Sequence, residues 1–366
     1  MLSEERDRHW MQHCLALARR AIGRTAPNPM VGAVVIKDGQ LIGEGWHPGA
    51  GQPHAEVFAL QAAGAAAQGA TVYVSLEPCN HYGRTPPCTE ALINAGVSTV
   101  VVGMVDPDPR VSGTGIQRLR DAGIEVRVGI EQDACAQLNE AFIWRVTQGQ
   151  PLSILKYAMT LDGKIATTTG HSAWVSGPAA RKWVHQRRAE SDAVIVGGNT
   201  VRQDNPNLTS HGMSDHNPLR VVMTRSLDLP PNANLWDVTV APTRIYTLPD
   251  ANPELQQRLG DRGVAVIPLP DLNPTTVLKD LYHQGLSQVF WECGGTLAAA
   301  ALKAGVIQKV MAFVAPKIIG GATAPSPVGD LGLTEMGRAI VLERLTIQTV
   351  EPDLLVEGYI AKGEID

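Results

Sequence analysis

Pro53-His54-Ala55-Glu56, followed by Glu77-Pro78-Cys79 and Pro86-Pro87-Cys88, is the stretch around which the chain is organised. One imidazole, His54, and two thiols, Cys79 and Cys88, make a set of three soft or borderline ligands. Such a set suits Zn2+ with its fourth position left to water, which marks a catalytic site rather than a closed structural one. Glu56, two residues after His54, is too close to be a convenient fourth ligand. It is well placed to handle protons on a water held by the metal. A closed structural site needs another protein ligand, and His81 is the nearest candidate. Neither that reading nor a redox cysteine pair gives Glu56 a role.

The 366 residues suffice for two domains, each with its own core. No apolar run is long enough to span a bilayer. The N-terminus, Met1-Leu2-Ser3-Glu4-Glu5-Arg6-Asp7, mixes charges and lacks the apolar core of a signal. The five cysteines are an odd number, and only Cys79 and Cys88 are paired as metal ligands would be. A reducing compartment fits, so the chain reads as cytoplasmic. A formal charge of −5 argues against a nucleic-acid footprint. Any phosphate on a substrate must therefore be met by local arginines.

Working outward from the motif, apolar residues at helical spacing predict a helix over 8–22, with Cys14 in its core face. Apolar runs on either side of Asp38-Gly39 predict a hairpin. Pro53 suits a helix start, so His54 and Glu56 fall in the first turn of a helix closed by Gly64. A strand over 71–75 leads to Cys79, and a helix over 89–95 follows Cys88. Two helix starts facing each other would converge the three ligands. Strands over 99–105 and 125–128, with helices over 115–122 and 132–146, complete a mixed sheet covered on both faces. Thr147-Gln148-Gly149-Gln150-Pro151 is the natural boundary, giving domains 1–149 and 150–366.

The order H-x-E, then P-C and a second Cys, is that of zinc deaminases. Here eight residues, Asn80 through Pro87, separate the cysteines in place of the usual two. With that loop, Leu76-Glu77-Pro78-Cys79-Asn80-His81-Tyr82-Gly83-Arg84-Thr85-Pro86-Pro87-Cys88 closely resembles the bifunctional riboflavin-biosynthesis deaminase/reductase family. So does Ala26-Pro27-Asn28-Pro29-Met30-Val31-Gly32. The second half is similar to the same family's reductase domain. The marks are Lys156-Tyr157-Ala158-Met159-Thr160-Leu161-Asp162-Gly163-Lys164, Gly198-Asn199-Thr200-Val201-Arg202-Gln203-Asp204-Asn205-Pro206 and Glu292-Cys293-Gly294-Gly295-Thr296-Leu297. The resemblance covers nearly the whole chain. It implies an α/β protein: an N-terminal cytidine-deaminase-like mixed-sheet α/β/α domain, then a dihydrofolate-reductase-like α/β domain. It implies one Zn2+ on His54, Cys79 and Cys88, Glu56 as the catalytic group, and NADPH/NADP+ in the second domain. The implied substrate is a diaminopyrimidinone ribosylamine phosphate, deaminated and then reduced at its ribosyl group. Asn28 is a turn residue or a substrate contact, and Arg84 is solvated or a grip on an anionic substrate.

In the second half, apolar runs predict strands over 152–157, 193–196, 220–224, 245–248, 264–269, 288–291, 309–314, 342–350 and 354–360, and a helix over 178–188. The segment 249–286 reads as a connecting region without chemistry. Lys156, between apolar neighbours, can reach the surface along its own stem; the resemblance implies that it points into the active site. By the same match Ser172, Arg188, Leu208 and Glu292 are substrate contacts. Ala158, Trp174, Thr200, Asp204 and the run Gly294, Gly295, Thr296, Leu297, Ala298, Ala299, Ala300 are cofactor contacts; from pattern alone Trp174 would be core. Two glycines after a strand let backbone approach a diphosphate at a helix start. Arg225, after a strand, is placed for the 2′-phosphate that separates NADP from NAD. One departure concerns the substrate: His211 stands where the family usually has Arg, and imidazole lacks arginine's permanent charge and bidentate fork. No G-x-G-x-x-G fingerprint occurs, so this is not an ordinary Rossmann dehydrogenase. Two other readings stay open: a nucleic-acid deaminase of the transfer-RNA type, and a second half that binds without catalysing. The expected partner is a small molecule, with no nucleic acid and no membrane; a homo-oligomer is left open.

Overall fold

Helix α1 (Ser3–Ala18) buries Met11, Cys14, Leu15 and Ala18 along one face, as their spacing dictates. The computed structural model to which it belongs describes residues 3–82 and 86–361 and divides into two units, Met1–Gln150 and Pro151–Asp366. Arg84 lies outside the described residues.

The first unit continues with the hairpin β1 (Gly32–Lys37) and β2 (Gln40–Trp46), then α2 (Ala55–Ala63), β3 (Thr71–Leu76), α3 (Cys88–Asn94), β4 (Thr99–Met104), α4 (Thr114–Asp121), β5 (Glu125–Val128), α5 (Gln132–Leu138) and α6 (Glu140–Gln148). The five strands form one sheet in the order β2-β1-β3-β4-β5. β1 is antiparallel to β2 and β3, whereas β3, β4 and β5 run parallel. Glycines let a helix press directly on this sheet. A Cβ on Gly43 would sit 2.2 Å from the Ala59 carbonyl oxygen, and one on Gly45 2.6 Å from that of Ala55. The start of α2 is thereby held against β2. The helix expected over 132–146 is two helices, because Asn139 breaks it. Its side chain accepts from the Met30 N–H at 2.8 Å and donates to the Met30 carbonyl at 2.9 Å. The buried Asn139 thus serves the tertiary structure instead of the helix.

The second unit contains β6 (Leu152–Thr160), α7 (Pro178–Ala189), β7 (Ala193–Gly197), α8 (Gly198–Asp204), β8 (Leu219–Met223), β9 (Thr243–Thr247), α9 (Pro253–Asp261), β10 (Ala265–Pro268), α10 (Pro274–His283), β11 (Gln288–Trp291), α11 (Gly295–Lys303), β12 (Lys309–Ala315), β13 (Leu342–Val350) and β14 (Asp353–Ile360). Nine strands lie in the order β10-β9-β8-β7-β11-β6-β12-β14-β13. All run in one direction except β14, which is antiparallel to β12 on one side and to the edge strand β13 on the other. Apolar clusters cover both faces, which is why the central strands read as continuous apolar runs. The last strand to enter the centre, β11, separates β6 from β7, and a crevice opens at the carboxyl ends there.

One buried carboxylate organises the first unit near its motif. Glu77 is 5% exposed and accepts hydrogen bonds from the backbone N–H groups of Asp106, Gly113, Gly115 and Ile116 at 2.9–3.2 Å. It ties the start of α4 to the exit of β3, two residues before Cys79. Glu77→Ala is expected to destabilise the first unit by about 3 kcal/mol, since charged hydrogen bonds contribute roughly 1.5–3 kcal/mol each and are not additive. A drop in the first thermal transition, with the second unchanged, would register this.

Candidate active sites

His54 is the residue immediately before α2, Cys88 is the first residue of α3, and Cys79 lies on the segment leaving β3. His54 therefore caps the helix rather than sitting inside its first turn, and Glu56 is the second helical residue. The His54 Nδ1 lies 3.2 Å from the Cys88 Sγ and 3.5 Å from the Cys79 Sγ. All three ligand atoms are within 4.8 Å of one another. A tetrahedral zinc with ligands at about 2.1–2.3 Å has edges of roughly 3.4–3.8 Å, so the trio fits the ion. The chemistry of the set agrees. Hydrogen bonding by the Cys88 thiol, opposed by burial and supported by His54, pulls the Cys79 thiol down to about 4. The Cys88 thiol is pushed up by its bond to Cys79, by burial and by Glu56. With both sulfurs and the carboxylate ionised, groups this close would repel one another, and a divalent cation would remove that conflict. Among the described residues no other His, Cys, Asp or Glu joins the trio; His81 is exposed and stands apart.

Glu56 is 3% exposed. Burial and then Cys79 raise its carboxyl to about 7, with His54 opposing. The loop ends are locked to α3 by Thr89 N–H on the Cys79 carbonyl at 3.2 Å and Thr89 Oγ1 on Asn80 Oδ1 at 3.0 Å. His47, also buried, backs the ligand loop. Its Nδ1 donates to the Pro53 carbonyl at 3.1 Å, so its Nε2 accepts from the Asn28 amide, also at 3.1 Å. Burial lowers the His47 pKa and keeps the ring neutral in that role. Asn28 is thus more than a turn residue, but the contact that holds it is His47.

In the second unit a cleft of 2090 Å³ lies over the carboxyl ends of β6, β7, β8 and β11. Lys156 and Ala158 enter from β6, Thr200 and Asp204 from α8, Arg225 from beyond β8, and Glu292, Gly294, Gly295, Thr296 and Leu297 from beyond β11. Ser172, Trp174, Arg188, Leu208, His211 and Ala300 complete the residues expected there. Lys156 does not run to the surface: its Nζ is 3.8 Å from Glu292 Oε2, and both side chains are largely covered. Arg188 clamps the same carboxylate through Nε at 2.5 Å and Nη2 at 3.0 Å. Burial raises the Glu292 carboxyl, but Arg188 and then Lys156 outweigh it and leave a net lowering. Trp174 is 70% exposed, not core, and the Arg181 guanidinium lies 4.6 Å over its ring. Burial raises the Asp204 carboxyl, with Ser172 opposing.

The glycine pair divides its labour. Gly294 has nothing within 4 Å of an added Cβ and opens to the cleft. A Cβ on Gly295 would meet the Ser326 carbonyl oxygen at 2.8 Å, so its smallness serves packing against the 326–329 segment. Ala298 and Ala299 are buried and do not line the cleft, because they lie on the core side of α11. The stretch 249–286 is more than a connecting region without chemistry. Besides the expected strand, β10, it builds α9 and α10, and 271–276 forms a wall of the cleft. The signal was Asn273-Pro274-Thr275-Thr276, a reciprocal capping box in which Asn273 accepts from Thr276 N–H and Thr276 Oγ1 accepts from Asn273 N–H. His185 was also missed, since nothing in a charged helix singles out one imidazole.

Comparison with known proteins gives two family matches. Residues 4–104 match the cytidine and deoxycytidylate deaminase zinc-binding region, and residues 151–356 match the RibD C-terminal domain. The riboflavin biosynthesis protein RibD of Synechocystis is 56% identical over 98% of this chain and 97% of its own length. That of Aquifex aeolicus is 41% identical over 96% of this chain and 98% of its own. A solved deaminase/reductase from Thermotoga maritima superimposes with a TM-score of 0.88 at 35% identity, covering 98% of this chain and 99% of the other. The first unit is thus a cytidine-deaminase domain with a zinc-binding His/Cys/Cys group, and the second is a dihydrofolate-reductase-like domain that implies a reduced nucleotide cofactor. Carrying both in one polypeptide, the chain belongs to the RibD family of bifunctional riboflavin-biosynthesis deaminase/reductases.

Proposed function

We propose that the two units act in turn on one pyrimidine, by hydrolytic deamination and then by NADPH-dependent reduction of its ribosyl group to ribityl. The Thermotoga maritima relative is named as a diaminohydroxyphosphoribosylaminopyrimidine deaminase and 5-amino-6-(5-phosphoribosylamino)uracil reductase, and those words supply the substrate class. The meeting of His54, Cys79 and Cys88 beside the buried Glu56 carries the first step. Zinc, held there, supplies Lewis acidity that eases loss of a proton from water. Glu56 takes that proton on a carboxylate oxygen as the water oxygen attacks the amine-bearing ring carbon. It then passes a proton to the departing nitrogen, so that ammonia leaves as the new C–O bond is completed. Burial keeps bulk water from draining the proton between those moments.

A reduced nicotinamide held in the second unit would supply hydride to C1′, the bond from C1′ to the ribose ring oxygen breaking and that oxygen taking a proton from solvent. Glu292, pinned by Arg188 and Lys156, accepts hydrogen bonds from the pyrimidine, with Ser172, Leu208 and His211 around the rest of the substrate. Ala158 leaves flat space against β6, and Thr200, Asp204, Trp174, Ala300 and the Gly294–Leu297 backbone frame the dinucleotide. Arg225, exposed at the cleft, meets the 2′-phosphate. Five free thiols support a reducing compartment, here the cytoplasm, and no helix among the described residues is long and apolar enough to cross a membrane.

Glu56→Gln should retain its metal content while ammonia release falls about a hundred- to ten-thousandfold, the usual contribution of a positioned acid/base. Unchanged ammonia release with zinc bound sinks the deaminase assignment. Chelation should stop ammonia release but leave NADPH oxidation with deaminated substrate intact, since the ligand trio and the cleft belong to different units. Arg225→Gln should raise KM for NADPH about ten- to a hundredfold and leave KM for NADH unmoved, as befits a lost charged hydrogen bond. Equal effects on both nucleotides remove Arg225 from that role.

A further inference from the structure

The substrate end of the second cleft holds an arrangement that the reductase reading does not use. His185 and His211 stack face to face, with ring centroids 4.0 Å apart and planes 20° from parallel. Both line the cleft. His185 lies on α7 three residues before Arg188, so the two share a helix face. His211 comes from the 205–217 loop, which is held from several sides. Arg188 Nη1 donates to the Thr209 carbonyl at 3.2 Å, Ser210 N–H to Asn217 Oδ1 at 2.9 Å, and Ser210 Oγ to the His216 carbonyl at 3.1 Å. Asn205 accepts two hydrogen bonds of 2.8 Å from Asn234, its Oδ1 from the backbone N–H and its carbonyl from the side-chain amide. Within this frame Asn205, Leu208 and His211 all adopt left-handed backbone, at φ of 39°, 53° and 49°. Such conformations persist where the surroundings over-determine them, and they gather at ligand sites.

The charge around the pair is nearly spent. Arg188 on α7 and Lys156 on β6 both face Glu292, leaving about one positive charge among three groups. Arg181, also on α7, is stacked on Trp174 and donates to the Ser176 carbonyl. Burial, then His211 and Arg188, push His185 down to about 4, with Glu292 opposing and Arg181 assisting. Burial and then Arg188 lower His211, again against Glu292. Both rings are therefore neutral at neutral pH while no anion is present.

We propose that His185 and His211 together form a two-imidazole seat for the phosphoryl group of the reductase substrate, and that the seat takes up a proton from solvent as the anion binds. The proposal rests on the reductase reading, which places His211 at the substrate; His185 and the proton are new. A dianion beside the stacked rings cancels the repulsion that keeps them uncharged and raises their proton affinity. Affinity then strengthens as pH falls from the liganded pKa toward the free one, by up to tenfold per pH unit for one proton, and levels off outside that window. An arginine at this position would carry its charge throughout and show no such slope.

Sulfate is the appropriate probe, because its charge is constant over the range in which a phosphate monoester titrates. With the full chain saturated in NADP+, sulfate binding is measured by calorimetry from about pH 8 to about pH 6, in buffers of differing ionisation enthalpy. The wild type should bind up to tenfold tighter per pH unit and take up a proton. Under the same conditions His211→Arg should bind with a flat profile and no uptake, and His185→Gln should lose most of the slope. A flat wild-type profile, no sulfate binding at either pH, or a slope that survives both substitutions overturns the proposal. A parallel assay of NADPH oxidation with deaminated substrate tests the underlying reading separately. Failure there with proton-linked sulfate binding intact removes the reductase assignment and, with it, the identity of the anion as substrate.

Discussion

Three side chains that start 34 residues apart at most must bring one nitrogen and two sulfurs within 4.8 Å, and the first unit is shaped by that requirement. Two of the ligands sit at helix starts and the third at the exit of a strand, and those points must be immobile to within a fraction of an ångström for a metal to be held. The sheet supplies the immobility. Gly43 and Gly45 let α2 lie directly on β2, so its start cannot drift. Glu77 gathers four backbone N–H groups and anchors the exit of β3. His47 holds the Pro53 carbonyl at the approach to His54. None of these groups is a ligand, and each restrains one that is.

The second unit solves a different problem, that of keeping charge in a cleft. An isolated buried carboxylate or ammonium would lose too much hydration to survive, so Glu292 is shared between Arg188 and Lys156. The triad itself is left only weakly positive, while Arg202, Arg225 and Lys303 also line the cleft. An anion beside the triad can draw on permanent cations or on groups that become charged on demand. The stacked imidazoles of His185 and His211 are groups of the second kind. Their placement depends on a loop whose backbone is left-handed at three non-glycine positions, a local cost accepted for geometry.

Much of this was legible before any coordinates. The helix over 55–63, the hairpin at Asp38-Gly39 and strand β11 come straight from apolar periodicity, a proline just ahead of the helix and glycine at the turn, all local effects. Where local reasoning went astray, a distant partner was responsible. Asn139 breaks a helix because Met30 is beside it, 109 positions away in sequence. Trp174 is exposed rather than core because it stands at a cleft rim formed by α7 and the loop before it. The 271–276 wall was overlooked because the connecting region looked polar and unpatterned, although its capping box was written in four consecutive residues.

The sequence by itself determined the donor types, their order and the presence of a proton-handling carboxylate, because metal preference is a property of side-chain chemistry. It also pointed to a two-part architecture, because Thr147-Gln148-Gly149-Gln150-Pro151 interrupts the helix-strand pattern in a chain long enough for two cores. Only the tertiary structure decided which cations are already committed to Glu292, which glycine faces a ligand and which faces a neighbouring loop, and that His185 lies against His211. Those are facts of mutual placement, and Coulomb interaction, stacking and steric contact between remote residues are set by distance, orientation and burial once the residue types are given.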